Sequence, residues 1–118
     1  MSEYLNLEYG SIIYKKENEK NIYNAIKNEA NNSVWNMYGW SKDLRKSKDI
    51  YEIFEIMGLY SENFYDDEVC IYVNHTYYSD FFKYMLNASI NYLEDSTIIM
   101  NTDENDVIKV TVKDHKLE

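Results

Sequence analysis

Three groups of side chains in this sequence are of types that do chemistry. Asp66, Asp67 and Glu68 stand side by side, and clustered carboxylate oxygens are what hard cations such as calcium or magnesium bind. Successive side chains of an extended segment point to opposite sides, however, and no loop has the EF-hand ligand spacing, so no metal is assigned there. Cys70 and His75 are close in sequence and His115 adds a third soft ligand, one short of a closed zinc site. Cys70 is the single cysteine and has no motif around it. It reads as a buried packing thiol on a core strand, with His75 at the strand's end, and not as a nucleophile. The third group is Trp35, Tyr38 and Trp40, followed by Lys42, Arg45, Lys46 and Lys48. Aromatic faces backed by cations can stack on bases or on a sugar. The preferred role for these residues is a core anchor followed by the solvated basic start of a helix. Only three glycines exist, Gly10, Gly39 and Gly58, far apart, which excludes the Gly-rich phosphate loops of P-loop and dinucleotide folds. No pair among the 21 carboxylates can be singled out for glycosidase work. No catalytic residue and no cofactor is assigned, and the chain is not expected to be an enzyme.

What remains is the distribution of charge. The chain of 118 residues carries 12 basic and 21 acidic side chains, net -9. That excludes a generic binder of nucleic-acid backbones, which needs Lys and Arg in excess, and disfavours docking on anionic membranes. The excess is local. Residues 49–106 hold 13 acidic side chains and one basic, Lys83, together with 8 of the 13 tyrosines. An ordinary surface mixes both signs; a large field of one sign costs self-repulsion and implies the steering of a partner. The stretch 60–68 is the sharpest instance, interleaving Tyr60, Phe64 and Tyr65 with Glu62, Asp66, Asp67 and Glu68. Tyrosine buries large area at low entropic cost, and carboxylates around it pair with Arg and Lys of a basic partner. These seven residues are the candidate partner-binding site, and the segment reads as a loop between a helix and a strand.

The elements that must hold this segment follow from periodicity. In residues 3–14, Leu5, Leu7 and Tyr9 alternate and Gly10 precedes Ile12 and Ile13, which favours a strand or hairpin. Ile22, Ile26 and Ala30 recur every four residues, which predicts a helix over 17–30 stopping at Asn31 and Asn32. Asp49 and Glu52 form a capping-box pair ahead of Ile50, Ile53, Phe54 and Met57, and Gly58 ends that helix. Val69, Ile71 and Val73 alternate on a strand over 68–74. A third helix, capped by Ser79, is expected over 80–94, with Phe82, Leu86, Ser89 and Leu93 on one stripe. Thr97–Met100 and Val107–Val112 form a hairpin around a polar loop at 102–106. Leu117-Glu118 reads as a junction to a C-terminal tag and is given no structural weight. The sum is an α+β fold in a single small domain, with about three helices packed on a small, mostly antiparallel sheet. Phe82, Leu86, Ile71, Val73, Ile108 and Val110 should share its core.

No stretch approaches the ~18 consecutive apolar residues of a membrane span, and no secretory leader is visible at the N-terminus. With one thiol, these features fit a reducing cytoplasm. A small, acidic, Tyr-rich cytoplasmic chain without a catalytic motif is what stoichiometric blockade of a basic enzyme requires. In general character it resembles the bacterial immunity proteins that neutralise polymorphic or contact-dependent toxins, a likeness of composition and not of motif. It implies an inhibitor of a basic toxin or nuclease, with no direct contact to nucleic acid. The same surface chemistry would serve a phage anti-defence protein, an anti-CRISPR or DNA mimic. A small enzyme or ligand-binding domain using Trp35–Trp40 or Cys70 and His75 is the reading from a different class.

Overall fold

The chain changes sheets at Gly10. Strand β1 (Tyr4–Gly10) ends there and β2 (Ile12–Lys15) begins two residues later, yet the two do not pair as a hairpin. β1 belongs to a five-stranded antiparallel sheet and β2 to a four-stranded one. Gly10 makes the corner because its φ of +87° lies in the left-handed region, and a Cβ would run into the Thr97 carbonyl oxygen. The computed structural model describes residues 4–32 and 44–118, the side chains of Phe64 and Tyr65 excepted. The expectations placed on Trp35, Tyr38, Trp40 and Lys42 fall outside these residues.

After a short 3-10 turn (Lys16–Asn18) comes α1 (Glu19–Asn32), which buries the Ile22, Ile26 and Ala30 stripe. Helix α2 (Ile50–Met57) buries Ile50, Ile53, Phe54 and Met57. Its caps follow the sequence signal with one change of partner. The Glu52 amide donates to Asp49 Oδ1 at 2.9 Å, but Glu52 Oε2 accepts from the Lys48 amide at 2.6 Å, one residue ahead of the expected Asp49. Gly58 closes the helix at φ +78°, with the His75 carbonyl where a Cβ would be.

The next segment differs from expectation. Residues 60–68 are not a loop: β3 (Leu59–Tyr65) and β4 (Glu68–Val73) form an antiparallel hairpin turning at Asp66-Asp67. β3 lies at the sheet edge, so it buries only one face and carries few apolar residues. A bulge between Glu62 and Tyr65 further breaks the alternation. β4 itself is as read, with Val69, Ile71 and Val73 buried.

The third helix is shorter and wider than expected. β5 (Thr76–Tyr77) leads into α3, an α-helical turn (Tyr78–Asp80) that continues as a π-helix (Phe81–Asn87). Tyr77, not Ser79, occupies the cap position, and no side chain bonds there. The Ala88 amide donates five residues back to the Lys83 carbonyl at 3.1 Å. The wide turn brings Phe81, Tyr84, Met85 and Leu86 all into the core, while Phe82 sits at its margin, stacked on Tyr78 at 4.4 Å. A 3-10 turn (Ile90–Tyr92) then gives way to β6 (Leu93–Glu94), so the expected helical end pairs instead with β2.

β7 (Ser96–Thr102) and β8 (Val107–Lys113) form the expected hairpin. β9 (Lys116–Leu117) adds to β8, and the Glu118 amide donates to the Thr111 carbonyl at 2.9 Å. Leu117 packs on the core, so the segment set aside as a junction is part of the sheet. The sheet orders are β5-β1-β7-β8-β9 and β3-β4-β2-β6. Side chains from both sheets and all three helices form one apolar cluster, in which Leu86, Ile71, Val73 and Val110 are buried and Ile108 is partly so. The fold is α+β, with antiparallel sheets as read, but two of them.

Candidate interface on the four-stranded sheet

One face of the four-stranded sheet points into the core and the other points out. The outward residues are set by register. Tyr60 lies opposite Tyr72, and Glu62 lies opposite Cys70, which lies opposite Ile13, which lies opposite Glu94. At the far end Glu68 is opposite Lys15. The Tyr60 and Tyr72 rings stack with centroids 5.1 Å apart and planes within 19°. Tyr60 keeps 43% of its surface exposed. Burial, then its neighbours Cys70 and Glu62, push the Tyr72 hydroxyl above its ordinary range.

The hairpin tip is held by β2. The Lys16 amide donates to the Asp67 carbonyl at 2.7 Å, and Lys15 Nζ lies 3.3 Å from both Asp67 Oδ2 and Glu68 Oε2. Asp67, then Glu68, raise the lysine's pKa. The structure thus brings Tyr60, Glu62, Asp66, Asp67 and Glu68 onto one hairpin, but it supplies an internal cation for two of the carboxylates. Glu62 and Asp66 are exposed and make no ion pair among the described residues. Phe64 and Tyr65 lie on β3, and Tyr65 is opposite Glu68.

Beside β3, a groove of about 390 Å³ runs between the strand and α2, lined in part by Tyr51, Phe54, Glu55, Leu59 and Tyr60. Sequence reasoning missed it because it joins residues from two elements. Tyr51, one of the lining residues, is held by Glu19, whose Oε2 accepts from Tyr51 Oη at 3.1 Å and from Tyr14 Oη at 2.9 Å. Burial and the Glu19 charge raise the pKa of both hydroxyls.

The other candidate groups are not assembled. Cys70 is half-buried on the outward face, not sequestered in the core as expected, because its position in β4 alternates with the buried Val69 and Ile71. His75 lies in the bend between β4 and β5 and packs against the other sheet: its ring stacks on Tyr4 at 4.0 Å, and its Nδ1 is 2.8 Å from Asn6 Oδ1. His115 sits in the β8–β9 turn at φ +61°. Among the described residues no three His, Cys, Asp or Glu side chains form a metal-holding group, and no helix is long and apolar enough to cross a membrane.

The acidic excess also divides by role. Asp49 caps α2, Asp95 Oδ1 accepts from the Asp114 amide at 2.9 Å, and Asp80 is buried. Asp103, Glu104 and Asp106 sit at the β7–β8 turn of the five-stranded sheet. What the hairpin offers is charge-assisted acceptance at Glu62 and Asp66 beside a tyrosine stack, which suits a guanidinium or ammonium. No family model, no curated protein and no solved structure matches this chain.

Proposed function

We propose that this protein is a stoichiometric inhibitor that binds a basic protein through the β3–β4 hairpin, with a bacterial toxin of nuclease or contact-dependent type as its target. The supporting observation is the hairpin's outward face, where the exposed Tyr60 stacks on Tyr72 beside Glu62, with Asp66 at the tip. Exposed carboxylates steer a basic partner and set its association rate; a stacked tyrosine pair supplies the area for a hot spot. Blocking a cationic groove needs no catalytic residue on the blocker.

The test uses the tagged protein as bait in extracts of its source cells, followed by co-expression of the captured protein with the inhibitor. The captured partner should be basic, should be released as salt rises, and should lose toxicity when the inhibitor is present. Glu62→Lys with Asp66→Lys should abolish capture while the protein stays folded. This pair is a cleaner choice than Asp67, whose replacement would also disturb Lys15. Unchanged capture and salt dependence in the folded double variant would refute the hairpin as the interface. Capture of a nucleic-acid-guided defence complex in place of a toxin would refute the toxin target.

A further inference from the structure

Among the described residues the strands that end the two sheets are unequal in length. β5 and β9 end one sheet, β6 ends one side of the other, and each is two residues long. The fourth edge, β3, is seven residues long. Edge strands present unpaired N–H and C=O groups, and proteins ordinarily shorten or cover them. The two-residue strands β5 and β9 pair with only the ends of β1 and β8, so length alone does not single out β3; among the described residues it is the terminal strand that also carries the candidate interface and borders the groove against α2.

The direction of its hydrogen bonds can be worked out. The Asn74 amide donates to the Gly58 carbonyl at 2.9 Å, and these two residues continue the register that pairs Leu59 with Val73. Gly58 and Asn74 therefore stand at a hydrogen-bonding position of the ladder, of which the Asn74 half is made while the Gly58 amide donates to the Glu55 carbonyl at 3.2 Å. In an antiparallel ladder such pairs alternate with non-bonded ones. Tyr60 and Glu62 thus turn their backbone groups inward to β4, and Leu59 and Ser61 turn theirs outward to the open edge. The side chains follow the pleat: Tyr60 and Glu62 belong to the outward face, while Leu59 and Ser61 turn to the side of Tyr51, Phe54 and Glu55; Tyr60, at the rim, also borders the groove.

We propose that the β3 edge receives an extended basic segment of the partner protein as a fifth strand of this sheet. The added backbone bonds to Leu59 and Ser61. Alternate side chains of the added strand meet Glu62 and Tyr60 on one face and enter the groove beside Glu55 on the other. The occupant follows from charge: a basic strand is complementary to Glu62 and Glu55, whereas a second copy of this chain would bring glutamates and aspartates against glutamates and aspartates. The inference rests on the proposed basic partner and specifies how it is held, by strand addition.

The probe is an acetylated, amidated short peptide of alternating lysine and valine, compared with the same peptide N-methylated on every second amide. Amide shifts of the isotope-labelled protein should centre on 59–62 and saturate at millimolar peptide, and hydrogen exchange at Leu59 and Ser61 should slow. The N-methylated peptide should bind about tenfold more weakly or worse, the loss expected for two backbone hydrogen bonds. Ser61→Pro removes an outward N–H, a position where an edge strand tolerates proline. It should keep the fold and lose the peptide. If that variant unfolds, the N-methylated comparison on the unaltered protein decides. Equal binding of both peptides on the hairpin face overturns strand addition and leaves the acidic interface standing. Shifts absent from the hairpin, or centred on Asp103–Asp106, overturn both. Dilution-dependent shifts at 59–62 without peptide mark self-pairing and also overturn the proposal.

Discussion

Replacing Asp80 by Asn should make this protein more stable at neutral pH, and the gain should vanish in acid. Asp80 lies in the first turn of α3, 3% exposed, and its Oδ1 finds no hydrogen-bond donor among the described residues. No ion pair reaches it there. The titratable group that senses it is the hydroxyl of Tyr4, whose ring stacks on Tyr77 at 4.3 Å. Burial alone raises the Asp80 carboxyl from 3.8 to about 6. The native state therefore keeps a proton that the unfolded chain has already released. Unfolding stability is full below pH 3.8, falls as pH rises through the window up to about 6, and stays lowered above it. The gap between the two values corresponds to about 3 kcal/mol. Asp80→Asn removes the charge and keeps the shape. Urea unfolding of both proteins across that window and up to neutral pH should give a difference curve that is near zero or slightly unfavourable at its acid end. The curve should climb to as much as about 3 kcal/mol in favour of the variant at neutral pH. Subtracting the two curves removes the contribution of the other carboxylates. A flat difference across the range would refute the argument, because it would mean that Asp80 does not change protonation there.

Two further substitutions test the packing. Leu86→Ala should cost about 2–5 kcal/mol in chemical denaturation, the range for a core leucine deletion, because Leu86 is fully buried in the π-helical segment; a variant that melts like the parent would mean the helix face is misassigned. Gly58→Ala should cost more than the roughly 1 kcal/mol of an ordinary left-handed glycine. Its Cβ meets the His75 carbonyl as well, and a melting temperature within a degree or two of the parent's would contradict that close approach.

The fold was legible wherever one side chain period dominated. Ile22, Ile26 and Ala30 marked α1, the Asp49 and Gly58 caps bounded α2, and Val69, Ile71 and Val73 marked β4. Each of these elements buries one face against the rest, so burial imprints its period on the sequence. Legibility failed where that condition failed. The stretch 80–94 offered a helical stripe, but it winds as a π-helix in which Tyr84, Met85 and Leu86 are buried in succession, a pattern the α-helical spacing does not single out. Leu93 continues the apolar spacing while belonging to a strand, because an apolar residue facing the core looks the same in either element. Leu117 was discounted for its neighbour and for its position, although its apolar side chain packs on the core.

The candidate site was legible as a composition and illegible as a shape. Interleaved tyrosines and carboxylates drew attention to 60–68, and all seven residues lie on one hairpin, the side chains of five of them described. The strand itself escaped notice because an edge strand with an exposed outer face and a bulge lacks the alternation that identifies a buried one. That same exposure is what makes it usable. A strand paired on both sides could show a partner only its side chains, whereas β3 offers a partner backbone groups as well, at Leu59 and Ser61. The charge total of residues 49–106 overstated the surface: Asp80 is buried, and Asp67 and Glu68 already face Lys15. What the excess leaves for a partner at this hairpin is concentrated at Glu62 and Asp66, with Glu55 across the groove. The proposed recognition there therefore draws on directional backbone bonding and the tyrosine stack in addition to charge. This predicts a partner distinguished by an extended basic segment and not merely by a basic net charge.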